Sequence, residues 1–198
     1  MSTTVFLVRH GSHDLLGKTL CGRMDGVHLN AAGVREAEAA ARRLAREGLD
    51  AVYASPRQRC IETAAYIGAA VGGHAAPEQA LDEIDFGDWT GRSFQELEAD
   101  QAWRDWNSAR AAHRPPGGES MGEARERMAA WLQRIRTRHP GRKVAAVGHA
   151  DVIKAALADV LRLPLEHHHR FEISPGSVSV VVAGDWGLKV HSINEACA

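Results

Sequence analysis

Near its amino terminus the chain reads Val5-Phe6-Leu7-Val8-Arg9-His10-Gly11, four large apolar residues followed at once by a cation, an imidazole and a glycine. A run of this kind is typical of a strand buried on both faces, as in a parallel sheet. Open α/β sheets bind ligands at the carboxyl ends of their strands, which is where Arg9 and His10 would lie. Arginine grips phosphate with a forked, permanently charged group, and histidine can act as a nucleophile. Three residues are a weak signal alone, so this interpretation depends on the partners that the rest of the chain supplies.

The composition narrows the class of protein. At 198 residues, with 44% hydrophobic and 25% charged residues, the chain is expected to form one domain over residues 1–198. A net charge of −1 argues against nucleic acid or an acidic membrane as a partner. We find neither an apolar run of membrane-spanning length nor a signal sequence. Cys21, Cys60 and Cys197 are odd in number and lack paired spacing, which predicts neither disulfides nor a zinc site and favours a cytoplasmic protein.

The pattern beyond the first segment alternates helices with strands and predicts an α/β layered domain with a mainly parallel sheet. Residues 12–29 form a long loop of the kind that is more often functional. We predict helices over residues 30–47, 61–71, 93–112, 120–135 and 152–161, and strands over 49–54, near 80–81 and over 143–147. Two or three edge strands with a turn at 185–187 are expected between 170 and 192. Asn30 is expected to cap one helix, and Ser120 with Glu123 has capping-box spacing.

Polar groups follow several predicted strands: Arg9-His10-Gly11, residues 55–59, Asp82-Glu83 and Gly148-His149. Because the carboxyl ends of parallel strands share one edge of the sheet, these groups are expected to meet in one pocket. Two arginines, two histidines and a carboxylate describe a site for a dianionic phosphoryl group. One histidine would attack phosphorus and the other would stabilise charge on the equatorial oxygens. A carboxylic acid would protonate the leaving oxygen and later take a proton from the attacking water.

These motifs resemble those of the histidine phosphatase superfamily, the phosphoglycerate mutase-like proteins, over about residues 3–183. The resemblance rests on four ordered motifs and a shorter element, at residues 8–11, 53–64, 81–91, 147–149 and 118–120. It implies a three-layer α/β/α sandwich with a mainly parallel central sheet. It also implies that His10 becomes a phosphohistidine that water hydrolyses.

The resemblance assigns roles to the remaining site residues. Arg9, Arg59 and His149 would hold the phosphoryl group, and Glu83 would act as general acid and then base. No metal or organic cofactor is expected. Because His10 has to be neutral to attack, whereas His149 is more useful when protonated, we expect the site to tune the two imidazoles differently.

Two further residues, Ser12 and Arg23, are candidates for substrate contact in the loop over residues 12–29. The sequence departs from the family there. Many members have Glu-Thr after the glycine and then a phosphate-binding asparagine near the position of Leu16, but no asparagine lies between Gly11 and Val27.

The other polar and aromatic residues of these motifs receive structural interpretations. Arg57 is expected to face solvent or a carboxylate, and Asp82 and Asp85 to order the loop or lie at the surface. Trp89 and Trp103 could line the pocket mouth, and Cys60 is expected to be buried and inert. The three adjacent histidines over residues 167–169 are interpreted as a solvated connection rather than a metal site.

The sequence therefore predicts a phosphomonoester hydrolase of a small phosphorylated metabolite, in the phosphatase branch of the superfamily. One alternative is a cofactor-dependent phosphoglycerate mutase, although mutases are usually longer, with segments that enclose a bisphosphate. A noncatalytic phospho-ligand binder is the other alternative, but such a protein would be expected to have lost His10 or Glu83. The expected partner is a small phosphorylated substrate, with no nucleic acid and no membrane. The oligomeric state stays open, a homodimer included.

Overall fold

The apolar segment near the amino terminus forms strand β1 (Thr3–Arg9) in the computed structural model, which describes residues 1–197. The other strands are β2 (Ala51–Ala54), β3 (Ala75–Pro77), β4 (Lys143–Gly148), β5 (Val178–Gly184) and β6 (Gly187–Glu195). They form one sheet with the order β3-β2-β4-β1-β5-β6. The first four in this order run parallel, while β5 and β6 are antiparallel to their neighbours. The prediction of a mainly parallel sheet is confirmed.

Helices cover both faces of the sheet. They are α1 (Ala31–Ala45), α2 (Gln58–Ala70), α3 (Phe94–Glu98), α4 (Gln101–Ser108), α5 (Met121–Arg138) and α6 (Ala150–Val160). Phe6 and Val8 of β1 pack into the apolar cluster of α1 and α2, whereas Val5 and Leu7 pack into that of α5 and α6. Side chains of a strand alternate between its faces, so this one segment lies at the centre of both clusters. The α/β/α sandwich is confirmed.

Two helix starts follow their predicted caps. The side chain of Asn30 accepts a hydrogen bond from the backbone N–H of Gly33. Ser120 and Glu123 form a complete capping box at the start of α5. Both caps satisfy amide groups that a helix leaves without partners at its first turn. None of the helices within residues 1–197 is both long and apolar enough to cross a membrane.

Two predictions of local structure are wrong. The strand expected near residues 80–81 lies instead at Ala75–Pro77, and residues 79–81 form a short 3-10 helix whose Ala80 N–H donates to the Glu78 side chain. The single helix expected over 93–112 is two helices, because Asp100 accepts a hydrogen bond from the N–H of Ala102 and starts a new helix. In addition, β5 lies inside the sheet between β1 and β6, so only β6 of this pair is an edge strand.

Candidate active site

The predicted convergence of strand ends occurs at the carboxyl edge of β1, β4 and β2. Arg9 is in register with Gly148, and the N–H of His10 donates to the carbonyl of Gly148 over 3.0 Å. The N–H of Ser55 donates to the carbonyl of Val147 over 2.9 Å, which brings the end of β2 to the same place. A cavity of about 170 Å³ opens there, with Arg9, His10, Arg59 and Glu83 among its lining residues.

The hydrogen bonds of His10 determine which of its ring nitrogens carries the proton. Its ring is buried, its Nδ1 lies 2.8 Å from the carbonyl oxygen of Gly11, and the Nε–H of Arg59 donates to its Nε2 over 3.3 Å. A carbonyl can only accept and a guanidinium can only donate, so Nδ1 carries the proton and Nε2 carries the lone pair. Burial, followed by the charges of Arg59 and Arg9, holds the pKa of His10 well below its usual value. His10 is therefore a neutral imidazole with Nε2 as its nucleophilic atom.

Two arginines bring unsatisfied donors to the cavity. Arg59 is 2% exposed, and its Nη2 donates to the carbonyl of Gly22 over 2.8 Å. Arg9 donates from Nη1 to the carbonyl of Ile173 over 2.6 Å. Within residues 1–197, Nη1 of Arg59 and Nε of Arg9 are buried and have no hydrogen-bond partner. Buried donors without partners are costly, and oxygens of an anion would satisfy them with charge-assisted bonds.

His149 is fully buried and is oriented by a chain of hydrogen bonds. Arg59 Nη2 donates to Nδ1 of His149 over 3.1 Å, so the proton of His149 is on Nε2, which lies 2.8 Å from Ser55 Oγ. Ser55 in turn donates to Oδ1 of Asp82 over 3.3 Å. A hydrogen-bonded partner of this kind fixes both the tautomer and the plane of an imidazole.

The expectation that the two imidazoles would differ in protonation is not met. Burial, followed by the charge of Arg59, also lowers the pKa of His149 well below its usual value. Both rings are therefore neutral in this structure, because both are buried and the same guanidinium lies beside each. A dianionic group placed between them would act in the opposite direction.

Glu83 has the properties of a general acid at neutral pH. Burial, followed by the negative charge of Asp151, raises the pKa of Glu83 to about 7. Its Oε1 accepts a hydrogen bond from the N–H of Ile84 over 3.0 Å, and its Oε2 lies 3.7 Å from Nδ1 of His149. A carboxyl with this pKa can hold a proton at pH 7 and release it to a leaving oxygen.

Two ionisable residues of the cavity were missed by sequence reasoning. Asp151 lines the cavity from the first turn of α6 and pairs with Arg110 over 2.9 Å. His13 also lines it, with its ring centroid 5.5 Å from that of His10. Burial, followed by the charges of Arg59 and Arg9, lowers the pKa of His13 to about 4. Their positions just beyond His149 and His10 in the chain are the only sequence signal for them.

The structure does not place Ser12 and Arg23 on the cavity wall. The backbone N–H and the hydroxyl of Ser12 both donate to the carboxylate of Glu36, over 2.7 and 2.9 Å. Arg23 donates to the carbonyl of Glu83 over 2.8 Å and to the carboxylate of Glu119 over 3.1 Å. Since carboxylates bind both side chains and neither residue lines the cavity, this geometry does not support assigning them to substrate contact.

The remaining polar residues of the motifs have structural partners. Arg57 pairs with Asp25 over 2.9 Å and with Asp82 over 3.0 Å, so the prediction of a carboxylate partner is confirmed. Asp82 is buried and orders its loop by accepting from the N–H of Glu83. Cys60 is fully buried, and burial raises the pKa of its thiol to about 12, which agrees with an inert residue.

The aromatic residues at the cavity differ from those expected. Trp89 and Trp103 pack edge to face in the core, with ring centroids 5.3 Å apart, and do not line the cavity. Phe86 and Phe94 line it instead, together with Leu16 and Leu20. Part of the cavity wall is therefore apolar.

Residues 167–169 belong to a 3-10 helix, Leu165–Arg170, in which His168 is buried and bonded to the carbonyl of Leu165. In the part of the chain that the structure describes, residues 1–197, no group of three or more His, Cys, Asp or Glu side chains is arranged to hold a metal ion.

Comparison with known proteins gives a consistent set of matches. The model of the histidine phosphatase superfamily (branch 1) matches residues 5–196. Phosphoserine phosphatase 1 of Hydrogenobacter thermophilus is 29% identical over 98% of this chain and 92% of its own length. The solved structure of Bacillus stearothermophilus YhfR has a TM-score of 0.90 at 27% identity, with 96% of each chain covered. A mycobacterial glucosyl-3-phosphoglycerate phosphatase shares the fold with a TM-score of 0.88 at 24% identity, over 98% of this chain and 99% of that one.

Proposed function

The chain belongs to the histidine phosphatase superfamily and is a phosphatase of that type. We propose that it hydrolyses small phosphomonoesters through a phosphohistidine at His10. One observation carries the proposal: a neutral imidazole whose Nε2 carries the lone pair and a carboxyl with a pKa of about 7 line the same cavity. Displacement of an alcohol from phosphorus requires at least a nucleophile and a proton donor, and this cavity contains both.

In the first half-reaction the Nε2 lone pair of His10 attacks phosphorus while the bond from phosphorus to the ester oxygen breaks. The proton of Glu83 goes to that oxygen, and an alcohol leaves. The unpartnered donors of Arg9 and Arg59 bind the non-bridging oxygens. Donors fixed in advance where charge develops stabilise a transition state most effectively.

In the second half-reaction water attacks the phosphorus of the phosphohistidine. The carboxylate of Glu83 takes a proton from this water, the phosphorus–nitrogen bond breaks, and its electrons return to Nε2 of His10. Inorganic phosphate leaves, and both groups regain their starting protonation states. No oxidation state changes in this cycle, and the proton that Glu83 gives to the leaving oxygen is replaced by one from the attacking water.

The size and lining of the cavity favour small substrates. A volume of about 170 Å³ accommodates a phosphoryl group and a short organic part, which the apolar wall of Leu16, Leu20, Phe86 and Phe94 would contact. Phosphoserine is the first candidate, because the relative from Hydrogenobacter thermophilus is named phosphoserine phosphatase 1.

A trapping experiment tests the covalent step. Brief incubation with phosphoserine or another ester labelled in the phosphoryl group, followed by quenching, should leave label on the wild-type chain in an acid-labile bond. His10→Ala should carry no label and show no turnover, whereas variants of the exposed His74 should behave like the wild type. Label that persists in His10→Ala would contradict the mechanism.

Glu83→Gln tests the proton donor. Because general acid catalysis matters most for poor leaving groups, kcat/KM for alkyl phosphates should fall by about 10²- to 10⁴-fold. The loss for p-nitrophenyl phosphate should be less than about tenfold, since its leaving group needs no proton. In the wild type, kcat/KM for alkyl phosphates should decline as the pH rises through about 7, where Glu83 loses its proton. An equal loss for both substrate classes would argue against this role.

The mutase alternative calls for a different readout. Incubation with 3-phosphoglycerate, with and without 2,3-bisphosphoglycerate, should release inorganic phosphate and form no 2-phosphoglycerate. Formation of 2-phosphoglycerate that depends on the bisphosphate would favour a mutase instead.

A further inference from the structure

A carboxylate lines the cavity that would hold the phosphoryl dianion of the substrate. Asp151 lies in the first turn of α6, two residues after His149, and lines the same cavity as His10 and Glu83. Its side chain is 24% exposed. A negative charge there disfavours an anionic ligand, so its presence needs a reason in the chemistry of the site.

The contacts of Asp151 hold it in its charged form. Nη1 of Arg110 donates to its Oδ1 over 2.9 Å, and the amino-terminal end of α6 favours a negative charge. Arg110 is itself fixed, with its guanidinium 4.0 Å from the ring centroid of Trp106 and its Nη2 bonded to Asn107. Burial acts to raise the pKa of Asp151, but Arg110, His168 and Lys154 outweigh this, and the pKa is lowered.

The surroundings of Glu83, in contrast, favour its protonated form. Its carboxyl accepts one backbone hydrogen bond, from Ile84, and receives no hydrogen bond from a cation within residues 1–197. Several charged and titratable groups surround it. They are Arg59 and Cys60 from α2, Arg127 from α5, Arg9 from β1, His149 and Asp151 at the start of α6, Cys21, and Arg23, which binds its backbone carbonyl. Two carboxyl groups that line one cavity do not ionise independently, and the one without a cationic partner keeps its proton.

We propose that Asp151, fixed by Arg110 on the wall of the catalytic cavity, is a positioning residue that keeps the proton on Glu83. This proposal rests on the proposed function. It adds a residue that keeps the general acid, Glu83, protonated before the first half-reaction. Burial of Glu83 acts in the same direction, and the fixed negative charge of Asp151 adds to it.

The same pair serves the second half-reaction. Once Glu83 has given its proton to the leaving oxygen, two carboxylates face the cavity together. Their repulsion makes Glu83 a stronger base, so it takes a proton from the attacking water as the oxygen of that water bonds to phosphorus and the phosphorus–nitrogen bond breaks. Asp151 stays ionised throughout and binds no proton in either step.

Asp151→Asn tests the proposal, because it removes the charge and keeps an oxygen that accepts from Arg110. Asp159→Asn is the matched control, since Asp159 lies on the same helix, does not line the cavity and loses the same charge. The measurement is kcat/KM for phosphoserine or another alkyl phosphate as a function of pH.

The alkaline limb of this pH profile is the range in which kcat/KM falls as Glu83 loses its proton. This limb should move down by about one pH unit in Asp151→Asn and stay in place in Asp159→Asn. For a limb that moves from about 7 to about 6, activity falls roughly ninefold at pH 8 and by less than about a third at pH 5.5. An unmoved limb in Asp151→Asn would overturn the proposal. A rise in KM confined to substrates that carry an ammonium group, with the limb unmoved, would also overturn it and assign Asp151 to substrate contact.

A second measurement separates this proposal from the proposed function. Titration of the Glu83 side chain by ¹³C NMR needs no turnover, and it should show a lower pKa in Asp151→Asn than in the wild type and in Asp159→Asn. A wild type that hydrolyses no phosphomonoester would contradict the proposed function, whereas an identical Glu83 titration in all three proteins would contradict the role of Asp151 alone.

Discussion

Arg59 joins the two histidines of the cavity through different nitrogens of one guanidinium. Its Nε donates to His10 and its Nη2 to His149, while its Nη1 stays buried without a partner. A lysine would keep the charge but could not hold both rings and still present a donor, because it carries one nitrogen instead of a planar fork. We expect Arg59→Lys to lower kcat/KM by about 10²- to 10³-fold, measured with the substrate that proves most active.

Arg57→Lys is the control for this variant. Arg57 lies two residues earlier, contacts Asp25 and Asp82, and does not line the cavity. In Arg57→Lys, kcat/KM should fall by less than about tenfold, because lysine keeps the charge and only loosens the ion pairs with the two carboxylates. If the two variants were equally impaired, the loss would reflect damage to the loop rather than to the phosphoryl site.

At the residue scale, the sequence identifies groups that lie directly at strand ends. Arg9, His10 and His149 are adjacent to the last residues of β1 and β4, so the position of the strand determines where they lie. Ser12 and Arg23 belong to the loop over residues 12–29, and their direction depends on carboxylates 24 and 96 positions away in the chain. Local sequence carries no information about such partners.

The segment that carries Glu83 is held in place by a second loop, residues 115–118. The N–H of Asp88 donates to the carbonyl of Pro116 over 3.0 Å, and a Cβ on Gly87 would lie 2.0 Å from the same carbonyl oxygen. Gly87 also has a φ of +51°, which residues with a Cβ rarely adopt. We expect Gly87→Ala to lower the free energy of unfolding by about 3 kcal/mol or more, from backbone strain and overpacking together, as measured by urea denaturation.

Gly26→Ala separates the two contributions. Gly26 has a φ of +68°, but a Cβ there would meet no atom within 4 Å. Only the strain of the left-handed conformation should remain, at about 1–2 kcal/mol. Because Gly87 lies four residues from Glu83, Gly87→Ala should also lower kcat for alkyl phosphates, whereas Gly26→Ala should not. Equal losses of stability in the two variants would mean that the contact with Pro116 contributes little.

Among the helices and strands, the predicted helices that begin at strong caps are correct. The wrong predictions concern segments whose sequence is compatible with more than one secondary structure. Residues 75–81 show neither a helical nor an alternating apolar pattern, and the strand stops at Pro77, which has no N–H to donate. The polar segment 93–112 has helical composition throughout. Asp100 could be an interior residue or a cap there, and in the structure it is a cap, with Trp103 and Trp106 of the new helix buried and stacked on each other.

For the whole molecule, the fold class follows from buried strands that alternate with helices, but the strand order does not. The pairing of β1 with β4 joins Thr4 to Lys143, and the pairing of β1 with β5 joins Thr3 to Ala183. Apolar strands of similar length carry little information about which neighbour they choose. In every strand order that keeps β1, β2 and β4 parallel and adjacent, the same residues nevertheless meet at the carboxyl edge of the sheet. The sequence therefore predicts the site better than it predicts the topology.

The cavity also determines how the stability of the folded chain depends on pH. His10, His13 and His149 have folded-state pKa values below the usual 6.5, because of burial first and then the charge of Arg59. Below pH 6.5 the unfolded chain binds a proton at each of these residues and the folded chain does not, so stability falls as the pH falls. Glu83 acts in the opposite sense between pH 7 and 4.5, since its raised pKa lets the folded chain bind a proton that the unfolded chain does not. For these four groups together, the net difference of about two protons near pH 5.5 contributes about 2–3 kcal/mol of stability lost per pH unit.

His13→Gln should make this dependence shallower. For His13 the stability is fully present above pH 6.5 and is lost between 6.5 and about 4, where its folded-state pKa lies. Removing its imidazole should lower the slope near pH 5.5 by about 1 kcal/mol per pH unit, as measured by urea unfolding at intervals from pH 7.5 to 5. His74→Gln, at an exposed position, should leave the slope unchanged. If His13→Gln kept the wild-type slope, His13 would bind its proton equally in the folded and unfolded chains, and the cavity would not exclude charge at that position.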